Sequence, residues 1–177
     1  MPMPGSIAHF GPIEQLAFVP SDFDAAIEYW TQTMGVGPFF LFEGLRLDDM
    51  RYRGEPTDAA FTVAIAYWGD VQIELVRGDN DAPAHYNGEY GVKDRLHHVL
   101  QIVDDFDAAM AAFAAVGGQV IVSGGFGGGK VAYIDPGAGP GSLVEILAPG
   151  EGAAELFAMI KRASVDWDGS EPIRRLG

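Results

Sequence analysis

Asp22-Phe23-Asp24-Ala25-Ala26 recurs as Asp105-Phe106-Asp107-Ala108-Ala109, an offset of 83 residues. The same offset carries Gln15 onto His98, Trp30 onto Phe113 and Gly35 onto Gly118. Each copy follows a short apolar run, residues 16–19 in the first case and 99–103 in the second. Polar caps at Ser21 and Asp104, each with an acid three positions on (Asp24, Asp107), mark two helix starts. Apolar residues then recur at helical spacing, Phe23, Ala26, Ile27 and Trp30 against Phe106, Ala109, Met110 and Phe113. Gly35 and Gly117-Gly118 end the two patterns.

Three strand-like runs follow each helix: 38–43, 60–68 and 71–77, then 119–123, 131–135 and 142–148. Trp68-Gly69-Asp70-Val71 has the form of a tight hairpin turn. Each half therefore has the order strand, helix, three strands. Module one covers about 11–78, a linker about 79–95 and module two about 96–149, with a C-terminal helix and tail over about 150–177. The last helix is expected over 151–164, acidic at Glu151 and Glu155 and basic at Lys161 and Arg162, as its dipole favours. Residues 44–59 are expected to be an irregular insertion, and the tail from Asp166 to be loose.

The chain has 177 residues, 48% of them apolar and 20% charged, a globular composition for one domain. Its net charge, 11 − 25 = −14, disfavours nucleic acid and anionic membranes as partners. The absence of cysteine excludes disulfides, thiolate metal sites and cysteine nucleophiles. The start, Met1-Pro2-Met3-Pro4-Gly5, lacks the basic and apolar regions of a secretory signal. The uncharged run 108–129 divides into helix, turn, strand and loop rather than a membrane span. A cytoplasmic location is expected.

Two charges stand where apolar strands should have none. Glu74 lies between Ile73 and Leu75, and Glu145 between Val144 and Ile146, each in the last strand of its half. A carboxylate there is costly unless it is exposed, paired or bound to a metal. Gln15 and His98 head the first strands at matching positions. With pseudo-two-fold packing, all four side chains converge. An amide oxygen, an imidazole and two carboxylates suit a borderline or hard divalent ion, whose charge the acids match. Singly, a strand Glu is more often solvent-facing and a lone His more often a hydrogen-bonded core residue; the matched pairing is what favours ligation. His97 is expected on the opposite face of its strand, toward the helix layer or an edge. Glu14 is set aside for the same reason, and His9 and His85 carry no signal.

Several segments resemble the vicinal oxygen chelate superfamily of glyoxalases, bleomycin-resistance proteins and extradiol dioxygenases. They are Gln15-Leu16-Ala17-Phe18-Val19, His97-His98-Val99, the doubled Asp-Phe-Asp-Ala-Ala, Tyr133-Ile134-Asp135-Pro136 and Gly141-Ser142-Leu143-Val144-Glu145. The resemblance spans about 11–149 and is nearest to glyoxalase I and methylmalonyl-CoA epimerase-like members. It implies an α+β fold in which two tandem βαβββ modules form a cupped, incomplete β-barrel, here with a C-terminal helix added. It places the metal positions on Gln15, Glu74, His98 and Glu145, with one divalent ion (Zn, Ni, Co, Mn or Fe) as cofactor. It implies isomerase, epimerase or lyase chemistry through a metal-stabilised enolate or enediolate, with Glu145 as base and Glu74 as its counterpart. The expected partner is a small carbonyl-bearing substrate, apolar or aromatic if Trp30, Phe40, Tyr67 and Tyr133 line the cup. A homodimer is the default assembly.

A metal-free sequestering protein is the rival reading, and a ring-cleaving dioxygenase a weaker one, since the set holds only one histidine. Val19, Gly78 and Asp94 stand where glyoxalase I carries groups for glutathione, so glutathione adducts fit poorly. Coenzyme A would need a basic patch from Arg51, Arg53, Lys93 and Arg95. Gly124-Gly125-Phe126-Gly127-Gly128-Gly129-Lys130 matches most of a phosphate loop, but Val131 replaces the hydroxyl and a strand follows. It is expected to be a flexible rim loop serving as a lid.

Overall fold

The computed structural model describes residues 6–176, so the proline-punctuated start 1–5 lies outside it. The expected duplication is present. Module one comprises β1 (Gln15–Phe18), α1 (Phe23–Glu28), β2 (Phe39–Leu45), β5 (Phe61–Trp68) and β6 (Val71–Gly78). Module two comprises β7 (Leu96–Ile102), α2 (Phe106–Ala115), β8 (Gln119–Phe126), β9 (Gly129–Asp135) and β10 (Leu143–Ala148). With β3 (Asp48–Tyr52), β4 (Glu55–Pro56) and β11 (Ile173–Arg175) they form one curved sheet ordered β11-β2-β5-β6-β1-β7-β10-β9-β8-β3-β4. The two modules meet through the antiparallel β1–β7 pair.

The strands are apolar on both faces because both faces are covered. Phe61, Val63 and Ile65 of β5 point into the cup, while Ala64 and Ala66 pack under α1 with Phe23 and Ile27. In module two, Leu143 and Leu147 point in, and Ile146 packs under α2 with Ala109 and Phe113. Period-two alternation then forces Glu145, like Glu74, onto the inner face. Burying one such phenylalanine contributes roughly 1.5–3 kcal/mol.

The caps fall one residue later than expected. Asp22 accepts from Ala25 N at 3.0 Å and Asp105 from Ala108 N at 2.9 Å. The side chain two bonds from its own backbone reaches the N3 amide; Ser21 instead donates to Asp94. The C-terminal helix α3 (Glu151–Ser164) matches its expectation. Among the described residues no helix is long and apolar enough to cross a membrane.

Three expectations are corrected. The 44–59 insertion contains the β3–β4 hairpin, and β3 crosses to pair with β8, extending the sheet at its module-two edge. The glycine-rich stretch is no lid: Gly127 and Gly128, both at positive φ, turn β8 directly into β9. A Cβ on Gly129 would stand 2.1 Å from the Ala148 carbonyl, so glycine there permits close backbone approach. The tail is ordered. Its β11 pairs in parallel with β2, Trp167 packs over Gly37, and Arg175 meets Glu43 at 3.3 Å. An otherwise open edge strand is thereby covered.

Candidate metal and substrate site

The two modules repeat each other in register as well as in sequence. Gln15 pairs with Gln72 and Ala17 with Glu74 across β1–β6; His98 pairs with Leu143 and Leu100 with Glu145 across β7–β10. Across the junction Ala17 also faces His98. A small residue at this crossing lets Glu74 and His98 close over it from either side.

Glu74, His98 and Glu145 come together at the base of the cup. His98 Nε2 lies 3.1 Å from Glu145 Oε2 and 3.4 Å from Glu74 Oε2, and all three residues are buried. Gln15, Glu74 and Glu145 line one cavity that opens to solvent. Among the described residues Gln15 Oε1 has no hydrogen-bond partner, and Glu74 Oε2 and His98 Nε2 meet each other and Glu145 only at ion-pair distance. Burial acts to lower the His98 pKa, but the two carboxylates outweigh it and hold it at about 9. Burial pushes the Glu74 carboxyl up, with Glu145 adding to that and His98 opposing it. The potential at this point favours positive charge.

Two hydrogen-bond relays aim the first-strand donors. Gln72 Nε2 donates to Tyr67 Oη at 2.8 Å, which leaves Gln72 Oε1 to accept from Gln15 Nε2 at 2.6 Å. Gln15 Oε1 is thus the amide atom left free. In module two, His97 Nε2 lies 2.8 Å from the His85 carbonyl, which can only accept. Burial drives the His97 pKa down to about 3, so the ring is neutral and its Nδ1 carries a lone pair. That lone pair accepts a hydrogen bond from His98 Nδ1–H at 2.9 Å and fixes Nε2 as the atom facing the carboxylates.

His97 therefore does not turn to the helix layer or an edge. A bulge shifts the β1–β7 register between Ala17/His98 and Phe18/Leu96, leaving His97 unpaired and breaking the alternation. His85, unmarked in sequence, is fully buried between the rings of Tyr86 and Tyr133, with centroids at 3.8 and 3.9 Å. A histidine in a loop of mixed composition offered no periodicity from which to infer this.

Of the expected pocket residues, Tyr133 lines the cavity, its hydroxyl 3.3 Å from that of Tyr86. Trp30 packs with Phe18 and Trp68 on the helix side, Phe40 is in the inner core, and Tyr67 serves the Gln72 relay; none of the three lines the cavity. The walls are instead Phe42, Phe61, Val63, Phe126 and Val131, with Leu156 and Phe157 of α3 across the opening.

The donor set fits a divalent cation in chemistry. Among the described residues no three His, Asp or Glu side chains are spaced as a preformed metal cage; the carboxylates stand at ion-pair distance from the imidazole instead. Those 3.1 and 3.4 Å separations are still near the edge, about 3.0 Å, of an octahedron with bonds of about 2.1 Å. The Gln15 amide oxygen, without a hydrogen-bond partner among the described residues, also suits a cation.

A family model described as Glyoxalase/Bleomycin resistance protein/Dioxygenase superfamily matches residues 14–133. Among solved structures, methylmalonyl-CoA epimerase from Mycobacterium tuberculosis is similar at TM-score 0.53 and 16% identity, over 88% of this chain and 97% of that one. A Streptomyces coelicolor methylmalonyl-CoA epimerase variant in complex with 2-nitronate-propionyl-CoA matches at 0.54 and 17%, over 81% and 97%. A hypothetical protein from Bacillus halodurans matches at 0.54 and 17%, over 79% and 95%. At these identities the likeness is one of fold. Among curated proteins none matches the chain at a significant level.

Proposed function

The chain belongs to the glyoxalase/bleomycin resistance protein/dioxygenase superfamily, and from that premise we propose that it is a divalent-metal-dependent enzyme acting on a small carbonyl compound by isomerase, epimerase or lyase chemistry. Gln15, Glu74, His98 and Glu145 would hold the ion. The observation that carries this reading is the buried meeting of His98 Nε2 with two carboxylates, beside an amide oxygen that its own relay leaves free.

A bound divalent ion would supply Lewis-acid polarisation of the substrate carbonyl. Glu145 takes the proton from the carbon beside that carbonyl, leaving the electron pair delocalised as an enolate. Return of a proton to the same carbon from the Glu74 side gives epimerisation, and its delivery to the neighbouring atom gives isomerisation. Burial, with the nearby carboxylates, raises the Tyr86 and Tyr133 pKa values, so both phenols stay protonated as donors to a substrate oxygen. The apolar walls and α3 keep water from the exposed carbanion.

Elemental analysis of protein purified without a tag tests the proposal. About one equivalent of Zn, Ni, Co, Mn or Fe is expected, lost in Glu145→Ala and His98→Ala, together with solvent deuterium entering α-keto or α-hydroxy acids. Failure of the wild type to take up any of these metals would overturn the enzyme reading in favour of a sequestering protein.

A further inference from the structure

Among the described residues a single cation lines the cavity. Arg46, on the connection between β2 and β3, lines the same cavity as Glu74 and Glu145. Arg46 is exposed and stands at the open rim, whereas the carboxylates are buried at the base. One guanidinium nitrogen, Nη1, donates to the Asp58 carbonyl, which steadies the head and leaves its other donors uncommitted. Arg46 makes no ion pair among the described residues, although acids outnumber bases by 25 to 11 in this chain. Most other cations are neutralised locally, as Arg53 is by Glu89 and Lys161 by Asp70. Arg46 is thus set apart by where it stands, an unpaired guanidinium at the mouth of a largely apolar cavity.

Charge and shape define the ligand it suits. Arg46 puts one positive charge at the mouth of the cavity, and no acid pairs with it among the described residues. One carboxylate closes the balance, and a guanidinium fork is the group that holds a carboxylate in two parallel hydrogen bonds. Between rim and base the walls are aromatic and aliphatic. The cavity itself offers no counterpart to the multiple phosphates of a coenzyme A ester: none of Arg51, Arg53, Lys93 and Arg95 lines it, and Arg53 is paired with Glu89.

We propose that Arg46 anchors a carboxylate at the outer end of the substrate, which makes the substrate class a free, singly charged carbonyl acid with an apolar or aromatic body. This rests on the reading of the cup as the substrate site. It is separable from the metal, because Arg46 is exposed to solvent whereas the carboxylates are buried.

Isothermal calorimetry with 3-phenylpropionate and its neutral isostere 3-phenylpropionamide tests the assignment, on protein as purified and after chelator treatment. The acid is expected to bind at least about tenfold tighter than the amide in both preparations, a difference of about 1.4 kcal/mol. Arg46→Met should bring the acid down to the amide's affinity while leaving the amide within about twofold, and Arg46→Lys should restore part of the gap. Amide binding reports that the variant is folded. Equal affinities in the wild type, a preference that survives Arg46→Met, or a preference that vanishes on chelation would each overturn the anchor. Failure of the enzyme reading shows separately, as absent metal uptake, and leaves the acid–amide difference intact.

Discussion

Module one and module two lay the same backbone register beneath the site yet support their donors by opposite means. Gln15 is held from across the sheet by Gln72, its neighbour on β6. The position equivalent to Gln72 in module two is Leu143, which has no side-chain polar group and cannot hold His98. His98 is held instead along its own strand, by His97 in the bulge, and the module-one counterpart of His97 is the half-buried Glu14. Duplication thus preserved the frame that aims four side chains at one point. The supporting hydrogen bonds were then settled separately in each half, because an amide and an imidazole need their spare donor satisfied in different directions.

That difference can be broken experimentally. The largest effect is expected from His97→Ala, which releases the His98 tautomer. Metal affinity, read by competition with a chromophoric chelator, should fall about 10–100-fold while the fold survives. Unchanged affinity would mean that the bulge, not the imidazole, positions His98. Gln72→Leu gives module one the residue of module two. It strands the Gln15 amide, and a loss of about 1–2 kcal/mol in denaturant unfolding is expected, with metal affinity changed by less than about tenfold. A drop as large as that of His97→Ala would show that the two supports are equivalent after all. The smallest effect compares the helix caps. Asp22→Ala and Asp105→Ala should each cost about 1 kcal/mol and differ by less than about 0.5 kcal/mol, since both caps reach the N3 amide at nearly equal length. A wider gap would mean that the modules do not share their stability evenly.

Much of the frame is legible in the chain itself. The Asp-Phe-Asp-Ala-Ala repeat marks α1 and α2, and the parity of Glu74 and Glu145 among apolar neighbours marks the inner face. The placement of α3 follows from its acidic start and basic end. Other features were not legible. The bulge at His97 reverses the alternation rule that placed it elsewhere, and nothing within β7 announces the bulge. The 44–59 segment looks irregular because β3 finds its partner, β8, some 70 residues downstream (Arg51↔Ser123). Trp30 and Tyr67 suggested a pocket by their aromaticity alone, yet one packs on the outer helix layer and the other supports a hydrogen-bond relay.

The sequence by itself determined that there are two matching modules, where their helices begin, and which charged residues are turned inward. Those properties follow from periodicities of 3.6 and 2 residues that act along the chain. Only the tertiary structure decided that His97 and His85 stand behind His98, that Arg46 shares a cavity with the two glutamates, and that β3 and β11 cover the sheet edges. Such contacts depend on sheet twist, cross-strand register and one bulge, quantities set by packing between distant segments and not by any short stretch of residues.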